Sequence, residues 1–364
     1  MLKTSDFDFY LPPKLIANQP FFPKEETAML TFKDNQIFDL KLINLLDFLQ
    51  EGDVMVFNDA RVIKAKLSAK ILRNSQKLEF NLDQKLNDFS IKDSPINVLW
   101  RALCKPAKKV KVGDDLEIAN DFFAQVIEKS DDGFIKIKFD CDEKTLAEKI
   151  EKYGATPLPP YIKSDLNNFQ DQKNYQTIYA NNGEAVAAPT AGLHFNEKIF
   201  AALANKKIKK VFVTLNVGAG TFLPVRSNFL NEHKMHNESF CLSKESAEII
   251  NLAKAHGKKI IAIGTTSLRV LESCCDEKNI LQPNKSSTEI FIYPPYKFKI
   301  VDILLTNFHL PKSTLFMLIC AFVGKEQAFL IYNHAISKQY RFYSYGDASL
   351  LFKNDQDNIF SLSL

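Results

Sequence analysis

The sequence predicts an α/β protein: a three-layer α/β domain with a mostly parallel sheet, interrupted by an inserted small β-barrel. Three observations predict it. "DVMVFN" and "VFVTLN" are nearly continuous apolar runs, as in strands covered on both faces. From Ser243 onward, helical and strand-like segments alternate, the succession that builds parallel sheets. Between about Val62 and Ala155 the texture turns all-β, with short runs and frequent turns.

The host is read as residues 1–61 and 156–364, and the insert as 62–155. In the insert, "KAKLSAKI" alternates polar and apolar, as a half-buried strand does. "INVLWRAL" and "FFAQVIEK" are further strands, and Asp131-Asp132-Gly133 is a turn feeding the strand in "SDDGFIKIKF". In the host, Ser243 caps a helix over "LSKESAEIINLAKAHG", which closes at Gly257. "KKIIAI" follows as a strand, then "SLRVLESCC" as a helix starting at Ser267. "TEIFIY" and "VDILLTN" are strands, and "KSTLFMLICAF" is a helix.

Composition narrows the class. The chain has 364 residues, enough for two domains, with 46% hydrophobic and 25% charged residues. The net charge of +4 permits a nucleic-acid partner without requiring one. The N-terminal stretch carries acids and prolines where a signal peptide needs an apolar core, and no uninterrupted apolar run is long enough for a membrane span. Six cysteines without a CxxC pair suit a reducing, cytoplasmic compartment better than a disulfide scaffold.

Ligands of such sheets sit beyond the carboxyl ends of the strands. Asp59 and Arg61 follow the first apolar run, and Gly218, Gly220 and Thr221 follow the second. Gly264, Thr265, Thr266 and Arg269 follow "KKIIAI", and Asn307 and His309 follow "VDILLT". The "GTTS" turn offers free N–H groups to a phosphate or a carboxylate, or is a plain helix cap. Neither it nor "GAGT" has nucleotide-fingerprint spacing. "AAPTAGLHF" brings Thr190 and His194, as a ligand loop or a tight structural turn. His233 and His236 lie three apart without a second ligand pair, so no metal site is expected. Lys105, Lys108, Lys109 and Lys111 form a basic run on the insert. "YRFYSYGDASLL" carries Arg341 and Asp347 among aromatics that stack bases or close a core.

Taken together, these stretches resemble the S-adenosylmethionine:tRNA ribosyltransferase-isomerase family of queuosine biosynthesis. "FDFYLPPKLIANQP", "GDVMVFNDARVIKAKL", "GATPLPPYI", "AVAAPTAGLHF", "VTLNVGAGTFLPV", "HKMHNESF", "IAIGTTSLRVLES", "LTNFHLPKSTLFMLICAF" and "YRFYSYGDASLL" carry the resemblance, in family order, from Phe7 to Leu351. Ala60 and Asn216 depart from the family's pattern, which usually has Thr and His there. The resemblance implies an α/β domain with an inserted barrel and a reaction on tRNA bearing 7-aminomethyl-7-deazaguanine at the wobble position. S-adenosylmethionine is the expected cosubstrate, with no permanently bound cofactor and a monomeric enzyme.

On that reading His194 and His309 are the leading acid–base candidates, because imidazole titrates nearest neutrality; Asp59 and Asp347 stand behind them. Arg61, Thr190, Gly218, Gly220, Thr221, Gly264, Thr265, Thr266, Arg269, Asn307 and Arg341 are expected to bind substrate. Lys105, Lys108, Lys109 and Lys111 are expected to bind tRNA. Two other classes fit the sequence less well. A methyltransferase lacks its glycine-rich first βα turn here, and an RNA-binding module would leave the polar strand ends without work.

Overall fold

The protein is described by a computed structural model covering residues 1–86, 97–159, 161–162, 173–222 and 225–354. Strands β1 (Ala28–Lys33), β2 (Gln36–Lys41), β3 (Val54–Asn58) and β4 (Ala60–Val62) come first. The barrel strands follow: β5 (Lys66–Ile71), β6 (Lys77–Leu86), β7 (Asn97–Lys105), β8 (Asp115–Ala119), β9 (Phe122–Lys129) and β10 (Phe134–Asp140). Helix α1 (Glu143–Tyr153) returns the chain towards β11 (Asn182–Ala185), α2 (Glu197–Asn205), β12 (Lys209–Leu215) and β13 (Glu238–Leu242). Then come α3 (Lys244–Ala255), β14 (Ile260–Ile263), α4 (Gly264–Ser273), β15 (Asn284–Thr288), β16 (Ile303–Asn307), α5 (Thr314–Val323), α6 (Lys325–Ser337) and β17 (Ala348–Phe352).

The main sheet has nine strands in the order β15-β13-β12-β3-β14-β16-β17-β1-β2. Its centre, β12-β3-β14-β16, is parallel. The apolar runs are explained there: Val54 and Val56 of β3 face one core, while Met55 and Phe57 face another. Helices α3 to α6 pack on the first face and α2 on the second.

The expected mostly parallel sheet is corrected at the flanks. β13 pairs antiparallel with both β12 and β15, β17 antiparallel with β16, and β2 antiparallel with β1, so the sheet is mixed. The β1–β2 turn shows why: Asp34 and Asn35 adopt φ of 51° and 59°, which closes a tight hairpin with no helical crossover. "TEIFIY" is not a strand either. The paired segment, Asn284–Thr288, reaches only its first residue, while Ile292 is buried in the core.

The helices form where their caps direct. Ser243 accepts from the Ser246 N–H at 3.1 Å at the start of α3, and Gly257 beyond its end has φ 69°. Helices α5 and α6 meet at a bend of 114°; among the described residues no single helix is long and apolar enough to cross a membrane.

The barrel is closed, in the order β10-β7-β6-β5-β8-β9, around Phe80, Trp100, Phe122 and Phe139. Its core also includes Ala219 from the loop after β12. Buried Asp83 of β6 makes that junction polar as well. It accepts from the Ala219 N–H at 2.6 Å and from Arg101 Nε at 2.5 Å. A Cβ on Gly218 would lie 2.5 Å from the same carboxylate, so only glycine fits there.

Candidate active site

The carboxyl ends of β12, β14 and β16 open onto a cavity of about 350 Å³ and an adjoining one of about 100 Å³. Glu238, Arg269, His309, Leu315 and Tyr343 line both, so the two form one cleft.

Helix α4 starts one turn earlier than the sequence reading placed it, at Gly264 rather than Ser267. Gly264 has φ 84°, a conformation that strains any side-chain-bearing residue and lets the helix follow β14 directly. Ser267 is not the cap: its hydroxyl donates back to the Ile263 carbonyl at 2.9 Å. Among the described residues no side chain caps this N-terminus, and its first-turn residues Gly264, Thr265 and Thr266 line the smaller cavity.

Arg269 stands in the second turn of that helix, only 6% exposed. Its Nη1 donates to Glu238 Oε2 at 2.5 Å, and Glu238 Oε1 accepts from the Gly218 N–H at 3.1 Å. One buried carboxylate thereby ties the loop after β12 to α4. The Nε and Nη2 groups of Arg269 and the hydroxyl of Thr266 are buried with no partner among the described residues.

His309 is buried on the cleft wall, its Nε2 3.2 Å from Thr306 Oγ1. Burial depresses its pKa to about 3, so the ring is neutral near pH ~7. His194 is equally depressed, to about 3, by burial first and then by the charges of Lys24 and Arg341. It lines neither cleft cavity. It sits in a separate small pocket with Lys24 and Arg341, its Nε2 3.3 Å from Asn307 Nδ2. Asn307 separates the two, lining the cleft and standing 3.4 Å from Thr190 Oγ1.

A family model described as "Queuosine biosynthesis protein" matches residues 4–351. The chain belongs to this family. It is 47% identical over 359 residues to an S-adenosylmethionine:tRNA ribosyltransferase-isomerase of Rickettsia bellii (strain OSU 85-389), covering 97% of this chain and 99% of the relative. It is 43% identical over 353 residues to the enzyme of that name from Acidiphilium cryptum (strain JF-5), covering 96% and 99%. A crystal structure of S-adenosylmethionine tRNA ribosyltransferase from Thermotoga maritima superimposes with a TM-score of 0.53 at 30% identity, covering 96% of this chain and 100% of that one.

Within this family member, the cleft gathers Thr190, Gly220, Gly264, Thr265, Thr266, Arg269, Asn307 and His309 of the residues expected from sequence. Others lie elsewhere. Asp59 is buried and occupied by Thr214 Oγ1 at 2.6 Å and Asn182 Nδ2 at 2.7 Å. Asp347 is held by Arg341 through Nε at 3.0 Å and Nη2 at 2.8 Å. Arg341 also lies 5.1 Å from the Phe21 ring, in the pocket of His194. Arg61 is exposed on β4, Gly218 is at the barrel junction, and the Thr221 side chain lies outside the described residues. Lys105, Lys108, Lys109 and Lys111 are all exposed at one end of β7 and the turn beyond it.

The sequence reading missed Glu238, Tyr343, and His236 as a cleft residue. Glu238 sits in the quoted "HKMHNESF", but only the antiparallel β12–β13 pairing carries it beside the Gly218 loop. His236 presses on Gly220, where an added Cβ would stand 2.2 Å from the ring. Tyr343 adopts φ 77°, a strained backbone, and its ring packs 4.3 Å from that of Tyr161. Asn216 donates to Ser239 Oγ and accepts from the Glu184 N–H, both at 2.9 Å.

Proposed function

We propose that this chain transfers the ribosyl unit of S-adenosylmethionine to the aminomethyl group of 7-aminomethyl-7-deazaguanine at the tRNA wobble position. The ribosyl unit is isomerised to an epoxycyclopentanediol, giving epoxyqueuosine-tRNA with release of adenine and methionine. Family membership supports the reaction class. The observation that carries the reading for this chain is the joined cleft: a nucleoside-sized cavity continuous with a smaller polar one, walled by a neutral imidazole and a buried arginine.

The chemistry fits those groups. A sulfonium acidifies the adjacent ribose carbon, so removing a proton there opens the ring. His309 is the proposed acceptor of that proton: it lines the cleft and is unprotonated at working pH, and because burial makes it a weak base the step relies on the acidity the sulfonium confers on the carbon. Departing adenine needs a proton donor, a role open to His236 on the wall of the larger cavity. The incoming amine must be neutral, which the apolar wall of the cleft, with Leu310, Pro311 and Leu315, favours by disfavouring its charged form.

The barrel, as an insert over 62–155, is the proposed tRNA-facing domain, with Lys105, Lys108, Lys109 and Lys111 contacting phosphates. S-adenosylmethionine is a cosubstrate, nothing is bound permanently, and the protein acts as a monomer. Product analysis tests the reading: adenine and methionine should appear together, in equal amounts, only with tRNA bearing the aminomethyl base. Release of S-adenosylhomocysteine, or of adenine with unmodified tRNA, rejects it.

A further inference from the structure

The cleft contains a cation whose hydrogen-bonding capacity the described residues use only in part. Of the guanidinium nitrogens of Arg269, Nη1 is engaged by Glu238, while Nε and Nη2 have no partner among the described residues. These two N–H groups share one edge of the planar group and point as a fork. The same edge binds carboxylates elsewhere in this chain. Arg73 meets Asp114 through Nε at 2.7 Å and Nη2 at 3.1 Å, and Arg341 meets Asp347 through the same pair of nitrogens.

At Arg269 no such carboxylate meets this edge among the described residues, although the residue is only 6% exposed. Leaving such a group unpaired is costly, and a ligand relieves the cost. Two features converge on the same small cavity: the uncapped N-terminus of α4 and the unpartnered, buried hydroxyl of Thr266. Each favours an anion.

Glu238 decides which anion. It lines both cavities beside Arg269, and each of its oxygens accepts one hydrogen bond, which leaves further acceptor capacity on each. A fork for a carboxylate next to a carboxylate with spare lone pairs matches a zwitterion. A phosphate would bring no positive group to Glu238 and would be repelled by it.

Resting on the reading that S-adenosylmethionine is the cosubstrate, we infer that Arg269 and Glu238 hold its α-amino acid end. The carboxylate lies on the Nε–Nη2 edge at the start of α4, and the ammonium lies on Glu238. The sulfonium and ribose are thereby directed outward into the larger cavity, past His309.

The test compares S-adenosylmethionine with its decarboxylated analogue, by calorimetry, with and without the tRNA substrate. Losing two charge-assisted hydrogen bonds should weaken binding of the analogue by about 100-fold. Arg269→Lys keeps the charge beside Glu238 and removes the fork. It should weaken S-adenosylmethionine by a similar factor, leave the analogue nearly unchanged and leave the salt dependence of tRNA binding as in the wild type. Equal binding of the two ligands to the wild type overturns the inference. So does a variant that loses tRNA phosphate contacts and keeps cosubstrate affinity. Should Arg269→Lys not fold, the wild-type ligand pair still decides. Discrimination without any ribose reaching tRNA would leave this inference standing and overturn the transfer reaction; transfer without discrimination would do the reverse.

Discussion

Arg269 Nη1 and Glu238 Oε2 meet at 2.5 Å with both side chains under one-tenth exposed. The pair joins elements distant in sequence, the second turn of α4 and the first residue of β13. Through the Gly218 N–H it also fixes the loop on which the barrel rests.

Breaking the pair from the carboxylate side leaves a buried, uncompensated guanidinium. Glu238→Gln is therefore expected to lower stability by about 3–5 kcal/mol. Urea unfolding measures this directly. A loss under ~1 kcal/mol would mean the pair is solvated and does not organise the cleft.

His309 and His194 separate by position. His309 lines the cleft, whereas His194 stands behind Asn307 in another pocket. His309→Gln is expected to lower single-turnover rates by ~10²–10⁴-fold with cosubstrate affinity largely kept. His194→Gln is expected to act chiefly on stability. The opposite ranking in rapid-quench measurements would move the proton-transfer role away from the cleft wall.

Both histidines also make stability depend on pH in a definite direction. Each is held at about 3 in the fold against 6.5 when free. Below pH ~6.5 the unfolded chain takes up protons that the folded chain refuses. Their contribution is fully present above that value and is lost as pH falls towards ~3, by up to about 1.4 kcal/mol per pH unit for each histidine. Urea midpoints measured from pH ~7 to ~5 should fall more steeply for the wild type than for the paired His194→Gln, His309→Gln variant. Parallel profiles would show that neither ring resists protonation.

Much of this was legible in the sequence. The apolar runs are β3, β12, β14 and β16, which lie side by side, and the polar residues after β14 and β16 line the cleft. Periodicity of two and dense turns located the barrel strands. What failed depends on long-range pairing. Nothing local in "HKMHNESF" tells that Glu238 will pair with Arg269, because antiparallel register with β12 decides it. Asp59 is a candidate for its place after a strand and Asp347 for its place in an aromatic stretch with Arg341; Thr214 and Asn182, distant in sequence, bond the first, and Arg341, six residues away, bonds the second. His194 looked equivalent to His309 because sequence does not show which side of Asn307 each ring takes.

The basic run on the barrel yields a prediction of its own. Lys105 is four residues beyond Arg101 on β7, about 13 Å further from the junction with the cleft at ~3.3 Å per residue. Neutralising Lys105, Lys108, Lys109 and Lys111 should weaken tRNA binding and reduce its salt slope by about three. An unchanged slope would place the tRNA track elsewhere, with turnover on the bound complex unaffected.

The most direct test of the central claim follows the ribose carbons. Wild-type protein is incubated with tRNA bearing the aminomethyl base and S-adenosylmethionine labelled uniformly in its ribose, and the tRNA is digested and its wobble nucleoside weighed by mass spectrometry. All of the ribose label should appear in that nucleoside, and none of it in the released adenine or methionine. A nucleoside that takes up label only when the methyl group is the labelled position would make this a methyltransferase, and the account would be wrong.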